Sequence, residues 1–448
     1  MNNSNNVYYL KQIDYNKNAI YEKLKDLDIF QIIKPGMTVL LKPNFIKESH
    51  QYKKNSWIQI ITNGSILYAT TKVVIEHLKN SGKIIIADGP DFGANINKIT
   101  KLTDIESIYS LCKKNNIIFE FIDLRDNYLK IIGEIKIYKK NLPGDPDGSV
   151  IFNIKKENSE FFGHKNFNMK YWGADLDIDE VNRAHNGVDN LYKVSKSVLN
   201  SDVFINLPKL KTHKKAGITC SLKNLVGINT YRNFLPHHTQ GFPENGGDQF
   251  PQKSKKSDIE QKYVTFIKTK ILPIPILNLL FIPIKKITRR YFGDTREVIR
   301  SGNWYGNDTI WRTILDLNKI IMYGDDNGIL HDKPIRHYIS IIDGIVGGEG
   351  QGPLSAEPIN SNCIIAGVNP LAVDCVCAKI MGFDYKKIPS LKNGFKIKNY
   401  PISNFQFNDI NVLSDIKKFN NKLLDIDIQD THKFTPHFGW KDHIELES

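Results

Sequence analysis

The chain has 448 residues, enough to bury a large core and, on length alone, to hold two to three domains. A composition of 41% hydrophobic and 24% charged residues is that of an ordinary folded protein and excludes a disordered or low-complexity chain. The 61 Lys and Arg against 48 Asp and Glu give +13, which points to a partner carrying negative charge: nucleic acid, anionic lipid or a phosphorylated substrate.

From the amino terminus, Val7 to Ile13 and Met37 to Leu41 read as strands around a helix from about Lys17 to Phe30. Lys42-Pro43-Asn44 then places a cation and an amide at a strand end. Thr71 to Asn80 reads as a helix terminated by Gly82, and Lys83 to Ala87 as an apolar strand running into Asp88-Gly89-Pro90. Ile105 to Lys113 reads as a helix and Ile117 to Ile122 as a strand. This alternation predicts an α/β fold, with mostly parallel or mixed sheets and helices on both faces. Ile131 to Ile137 and Ser149 to Ile154 read as strands, and Asn190 to Asn200 as a helix.

The stretch INLPKLKTHKKAGITCSLKNLVGI, residues 205 to 228, is the most informative. An apolar strand from Asp202 to Leu207 ends at Pro208, and the pattern predicts a loop carrying Lys209, Lys211, His213, Lys214 and Lys215. A helix is expected next, with Ile218, Leu222, Leu225 and Val226 on one face and Lys223 and Asn224 off it. Ligands of open α/β sheets bind at the carboxyl ends of strands, so positive charge here reads as an anion site. Lys214 and Lys215 are set aside as solvated.

Residues 231 to 300 break the pattern, first as a polar, turn-rich stretch. The apolar run ILPIPILNLLFIPI, residues 271 to 284, follows, with Lys268, Lys270, Lys285, Lys286, Arg289 and Arg290 around it. It is too short and too Pro-interrupted to span a bilayer; it reads either as a contact with an anionic membrane surface or as a packed insertion. His237, His238 and Asp248 form a polar cluster suited to a divalent metal or to acid/base work, and His185 is a weaker candidate. In residues 303 to 313, Asn307 or Asp308 caps a helix from Thr309 to Met322, and Trp304, Tyr305 and Trp311 read as packing.

Tyr338 to Ile342 reads as a strand ending at Asp343, followed by a glycine-rich loop, residues 344 to 353, with Glu349 in it. Gly348 and Gly350 would let backbone N–H groups approach a ligand, although the loop fits neither a P-loop nor GxGxxG. After a strand at Cys363 to Ala366, Asn369-Pro370 starts a nearly all-apolar helix, Leu371 to Met381, in which Asp374 needs a partner. The organisation expected is a first α/β block over 1–230, an irregular insertion over 231–300 and a second α/β block over 301–448, with a cleft between the blocks.

The five cysteines, Cys112, Cys220, Cys363, Cys375 and Cys377, form no CxxC and no ferredoxin-like run, so no iron–sulfur or cysteine-built zinc site is expected. Scattered thiols and a start lacking a basic segment with an apolar h-region predict a cytoplasmic protein, peripheral at the inner face of the cell membrane if residues 271 to 284 touch lipid. The basic residues are dispersed and no recognition helix stands out, which argues against nucleic acid.

The roles expected are these. His213, His237, His238 and Asp374 would do catalysis. Lys42, Asn44, Lys209, Lys211, Lys223, Asn224, Gly348 and Gly350 would bind an anionic small-molecule or lipid-linked substrate. Asp88, Asp343, Glu349 and Asp248 would hold a divalent cation, if one is used, or position a lysine. Clustered lysines and carboxylates suit phosphoryl or glycosyl-phosphate transfer, an epimerase or a carboxylate-activating enzyme. A non-catalytic assembly protein at the membrane and a redox protein served by a separate ferredoxin are the alternatives.

The stretches INLPKLKTHKKAGITCSLKNLVGI, IIDGIVGGEGQGP and AGVNPLAVDCVCAKIMGFD, with LKPN near the start, resemble the domain of unknown function 362 family in order along the chain. The PHH…GGD segment at 236 to 248 and GNWYGND at 302 to 308 resemble its long branch. Many relatives carry a ferredoxin-type module whose cysteines are missing here, so cluster chemistry is not carried over. The resemblance implies an α/β fold and bacterial cell-envelope polysaccharide gene neighbourhoods, without a settled reaction. A likeness in layout to lactate racemase-type proteins is fold analogy only.

Overall fold

The computed structural model describes residues 4–132, 135–164, 170–173, 177–271, 290–293 and 297–447. From residue 272 onward, the apolar run and its flanking Lys285, Lys286 and Arg289 lie outside the described residues. No described helix is long and apolar enough to cross a membrane.

Seventeen strands are described: β1 Asn6–Lys11, β2 Thr38–Pro43, β3 Lys83–Asp88, β4 Ile118–Asp123, β5 Asn127–Ile132, β6 Ile135–Asn141, β7 Ser149–Asn153, β8 Tyr171–Gly173 and β9 Leu191–Ser195 come first. β10 Val203–Leu207, β11 Lys209–His213, β12 Gly217–Thr219, β13 Pro236–Thr239, β14 His337–Gln351, β15 Ser355–Gly367, β16 Asn411–Leu413 and β17 Asn421–Lys422 complete the set. The main sheet has the order β17-β16-β1-β15-β14-β10-β2-β3-β4, with β11 paired to β14 and β12 to β11. The run β14-β10-β2-β3-β4 is parallel, whereas β15 is antiparallel to both β14 and β1. Strands from 1–230 and from 301–448 interleave, so this one sheet crosses the boundaries expected from the sequence.

Helices cover both faces. Gly64–Leu78 and Ile105–Lys114, the crossovers from β2 to β3 and from β3 to β4, pack Ile66, Val73 and Ile108 into one core with Val39 and Ile84. Ile310–Tyr323, between β10 and β14, and Pro370–Met381, after β15, pack Ile314, Leu317, Leu371 and Val376 into the core on the opposite face. Central parallel strands buried on both sides explain the near-continuous apolar runs KIIIAD and VFINL.

From β2 the chain steps outward to β3 and β4, then returns to lay β10 on the other side of β2 and β14 beyond it. The helices change face at the same place. β2 and β10 therefore flank the topological switch point, whose carboxyl end is where open α/β sheets form their ligand crevice.

Several elements differ from expectation. Lys209–His213 is a strand, not a loop: after Pro208 the chain re-pairs beside β14, Lys209 opposite Asp343. The expected helix after Ile218 is strand β12 followed by a short helix, Ser221–Asn224, and a 3₁₀ turn, Leu225–Ile228. Residues 190 to 200 are strand β9, Leu191–Ser195, followed by a single helical turn, Lys196–Leu199. Most of the expected glycine-rich loop is the outer half of β14, hydrogen-bonded to β15 as far as Gln351 opposite Ser355. Glycine and lysine masked these strands because both are rare in sheets except where backbones approach closely or polar groups find partners. β5 and β6 pair antiparallel. Asn369 caps its helix, accepting the backbone N–H groups of Leu371 and Ala372, whereas Asn307 lies two residues ahead of the N-cap, Thr309, and accepts the N–H groups of Thr309 and Ile310.

Candidate functional site

At the carboxyl end of β2, Lys42 is fully buried and donates to Asp88 at the end of β3 (2.6 Å). The second Asp88 oxygen accepts the backbone N–H of Phe45 (2.8 Å). Gly227 lies against this pair: a Cβ there would collide with Asp88 Oδ1 and come within 2.8 Å of Lys42 Nζ. One strand over, Lys209 donates to Asp343 (2.8 Å), both fully buried, and to the hydroxyl of the partly buried Tyr15 (2.8 Å). Asp343 also accepts the Tyr15 hydroxyl (2.9 Å) and the Asn63 backbone N–H (2.9 Å). Burial pushes both Lys42 and Lys209 down, opposed by their carboxylates. Asp88 and Asp343 are thus lysine partners.

Lys211 is different. It is fully buried and donates to Asn44 Oδ1 (3.1 Å) and the Ile60 carbonyl, with no carboxylate within ion-pair distance among the described residues. From Asn44 a relay of amides crosses the switch point. Asn44 donates to Asn224 (2.9 Å), Asn224 to Asn206 (2.7 Å), and Asn206 to the Ser221 carbonyl (2.8 Å) and the Tyr338 hydroxyl (2.7 Å). Each amide gives and receives, so the orientation of all three is determined by the network. Burial, then Lys209 and Lys223, hold the Lys211 ammonium well below the ordinary lysine range.

Lys223, on the short helix beside this relay, is half-buried, and its amine makes no hydrogen bond or ion pair among the described residues. Burial, followed by Arg232 and Lys42, lowers it to about 7. Arg232 donates to the carbonyls of Gly89 (2.8 Å) and Pro90, at the loop after β3.

Two histidines share Lys223 as a neighbouring cation. His213 Nδ1 accepts the backbone N–H groups of Lys215 and Ala216 (both 3.1 Å), so its proton sits on Nε2. His237 Nδ1 pairs with the Leu235 carbonyl (2.8 Å), so Nδ1 carries the proton and Nε2 is left as an acceptor. Burial first, then neighbouring cations including Lys223, push both well below the usual imidazole range. At neutral pH they are therefore uncharged rings of opposite tautomer, one presenting an N–H and the other a lone pair.

The other expected residues serve the scaffold. Asp374 is buried on helix Pro370–Met381 and accepts the backbone N–H groups of Ser221 (2.6 Å) and Leu222 (2.9 Å), capping the helix that carries Lys223. Asp248 accepts from Thr239 N (2.6 Å), Asp308 N (2.9 Å) and the Thr309 hydroxyl (2.6 Å), organising residues 302 to 309. Glu349 accepts the Thr435 backbone N–H (2.7 Å). His238 stacks on Trp172 and pairs with Lys215 (3.0 Å). His185 is buried between Asn190 and the Phe234 carbonyl, lowered by burial to about 4. Gly348 packs against Gln59 and Lys211, whereas Gly350, at φ +72°, has open space beside it. Trp304 and Trp311 donate to the Asp248 carbonyl and to Asp308 (2.8 Å each), as packing residues do.

The four carboxylates expected to hold a metal do not gather. Among the described residues, the His, Cys, Asp and Glu ligand atoms that do are those of Cys220, Asp374 and Cys377, all buried. Asp374 is occupied there by two backbone N–H groups. Sequence reasoning missed Tyr15, Asn206, Gly227 and Arg232. Asn206 had a signal, a lone amide in an otherwise apolar strand; the others sit in unremarkable contexts.

No match was found among curated proteins. A lactate racemase apoprotein from Thermoanaerobacterium thermosaccharolyticum is 10% identical with a TM-score of 0.34, over 84% of this chain and 57% of that one. A structural-genomics crystal structure of a Thermotoga maritima protein is likewise 10% identical with a TM-score of 0.34, over 81% of this chain and 58% of that one. The chain thus spans less than two thirds of either structure, and the likeness is too weak to bear on chemistry. The family model described as Domain of unknown function (DUF362), the family the motifs resemble, matches residues 166–379, a stretch that carries β10 to β12, Lys223 and Asp374.

Proposed function

We propose that the protein is an enzyme acting on an anionic substrate, phosphorylated or carboxylate-bearing, at the carboxyl ends of β2 and β10. Arg232 and Lys223 hold the anion, Lys211 adds positive potential from below, and His213 and His237 exchange protons with the substrate. The supporting observation is Lys223, a half-buried amine without a partner among the described residues, flanked by Lys42, Lys211 and Arg232. Lys42 is already neutralised by Asp88, which leaves a surplus of positive charge in a poorly solvated place. Such a surplus is costly until an anion enters, and charge-assisted hydrogen bonds then form in a low dielectric.

Titration calorimetry with sulfate, pyrophosphate and citrate at low ionic strength tests this reading. At least one anion binds wild-type protein, and Lys223→Ala or Arg232→Ala weakens it about tenfold, the ~1.4 kcal/mol of one charge-assisted contact. Absence of binding by all three anions sinks the proposal.

A further inference from the structure

We infer that Cys220, Cys377 and Asp374 form a buried binding site for Zn²⁺, which ties the short helix Ser221–Asn224 to helix Pro370–Met381. The site is separate from the anion site proposed above and does not depend on it.

The geometry comes from two helices meeting. Asp374 and Cys377 stand three residues apart on helix Pro370–Met381, so their side chains leave it from the same face. That face meets the start of Ser221–Asn224, where Asp374 accepts the N–H groups of Ser221 and Leu222 and Cys220 occupies the N-cap position. The two sulfurs and a carboxylate oxygen of Asp374 all lie within 4.8 Å of one another, and all three residues are buried. Ligands bonded to a tetrahedral Zn²⁺ at about 2.0–2.3 Å stand about 3.3–3.8 Å apart, so shifts of about 1 Å close the cluster on an ion. The sequence hides this set, because cysteines so far apart form no CxxC.

None of the three groups is used up elsewhere. Both cysteines are free thiols, and Cys220 makes no side-chain cap to the helix it precedes. Each Asp374 oxygen takes one backbone N–H, and an ionised carboxylate has about four lone-pair sites, so a lone pair remains for a metal. The two N–H groups then act as outer donors that fix the orientation of the carboxylate. Thiolates select Zn²⁺ or Cu⁺ over Mg²⁺ and Ca²⁺. With two thiolates and a carboxylate, Zn²⁺ leaves one net negative charge in the core where Cu⁺ would leave two, and buried net charge is costly. The three residues fill three of the four tetrahedral positions.

The test begins with the full chain, expressed with zinc in the medium and purified without chelator. Elemental mass spectrometry is expected to find about one zinc per chain, and a zinc-free chain overturns the site. Crystals of the same protein then place the ion by anomalous scattering at the zinc edge. A peak bonded to the Cys220 and Cys377 sulfurs supports the site and reveals its fourth donor, whereas a peak anywhere else overturns it. In solution, Cys220→Ser and Cys377→Ser each lose the zinc, while Cys112→Ser, in the core on the other face of the sheet, retains it. Retention by both ligand variants overturns the site. The crystal position needs no variant, so it decides the question even where a substitution prevents folding.

Discussion

The Asp374 carboxylate accepts the backbone N–H of Ser221 at 2.6 Å, so a helix on one side of the core caps the short helix that presents Lys223 and Asn224. The capping group comes from elsewhere in the chain because Cys220, at the N-cap position, makes no side-chain cap of its own.

Removing that carboxylate with Asp374→Ala leaves two buried N–H groups unpaired and costs about 2–4 kcal/mol, while Asp374→Asn, which keeps an acceptor, costs less. Burial raises Asp374 to about 7 against the opposing pull of the two N–H groups. An unfolded Asp ionises near ~4, so between those values the folded state holds a proton that the unfolded chain has released. The stability this group contributes is full below the unfolded value and is lost as pH rises through the folded one. Urea unfolding at pH 5 and pH 8.5 should show the wild type losing more stability on going alkaline than Asp374→Asn does.

Gly227→Ala drives a methyl group into the Lys42–Asp88 pair. Separating two charges buried this deeply is expected to cost about 3–5 kcal/mol, measured as a fall in the denaturant midpoint with an unchanged slope.

The Lys209–Asp343 pair makes a sharper case. Lys209→Met or Asp343→Leu alone strands a charge in the core and costs about 3–5 kcal/mol, whereas the double variant recovers most of that loss. If the double variant is as unstable as the sum of the singles, the two side chains are not a pair in solution.

Anion affinity should carry the titration of Lys223. Sulfate keeps a fixed charge near neutrality, so its binding reports the protein. Lys223, lowered to about 7, is mostly charged at pH 6 and mostly neutral at pH 8. Calorimetric affinity for sulfate therefore falls up to about tenfold across that interval, and Lys223→Arg, with its permanent charge, removes the fall.

Strand–helix alternation and the strand-end placement of Lys42 and Asp88 were legible because apolar runs bounded by turn residues have a plain period, whereas Asp343 proves to lie within β14. What was hidden is which lysine faces solvent. Lys209 and Lys211 look like loop residues in the sequence because a fully buried lysine is intelligible only with its acceptors, and those come from Tyr15, Asn44, Ile60 and Asp343. The same long-range logic conceals Asp374, whose partners are backbone groups on another element. It also conceals Arg232, which answers carbonyls at the end of β3. Periodicity finds elements; it does not find partners supplied by distant backbone.

The position of β1 between β15 and β16 has a consequence for synthesis on the ribosome. Val7 pairs with Gly367, about 360 residues later, so β1 waits for most of this chain before it acquires its neighbours, a topology that folds slowly. Until the hairpin of β14 and β15 has emerged, both edges of β1 and one edge of β10 stay unpaired. Nascent chains halted before residue 337 should be held by chaperones or degraded, and the sheet should close only after β14 and β15 have emerged.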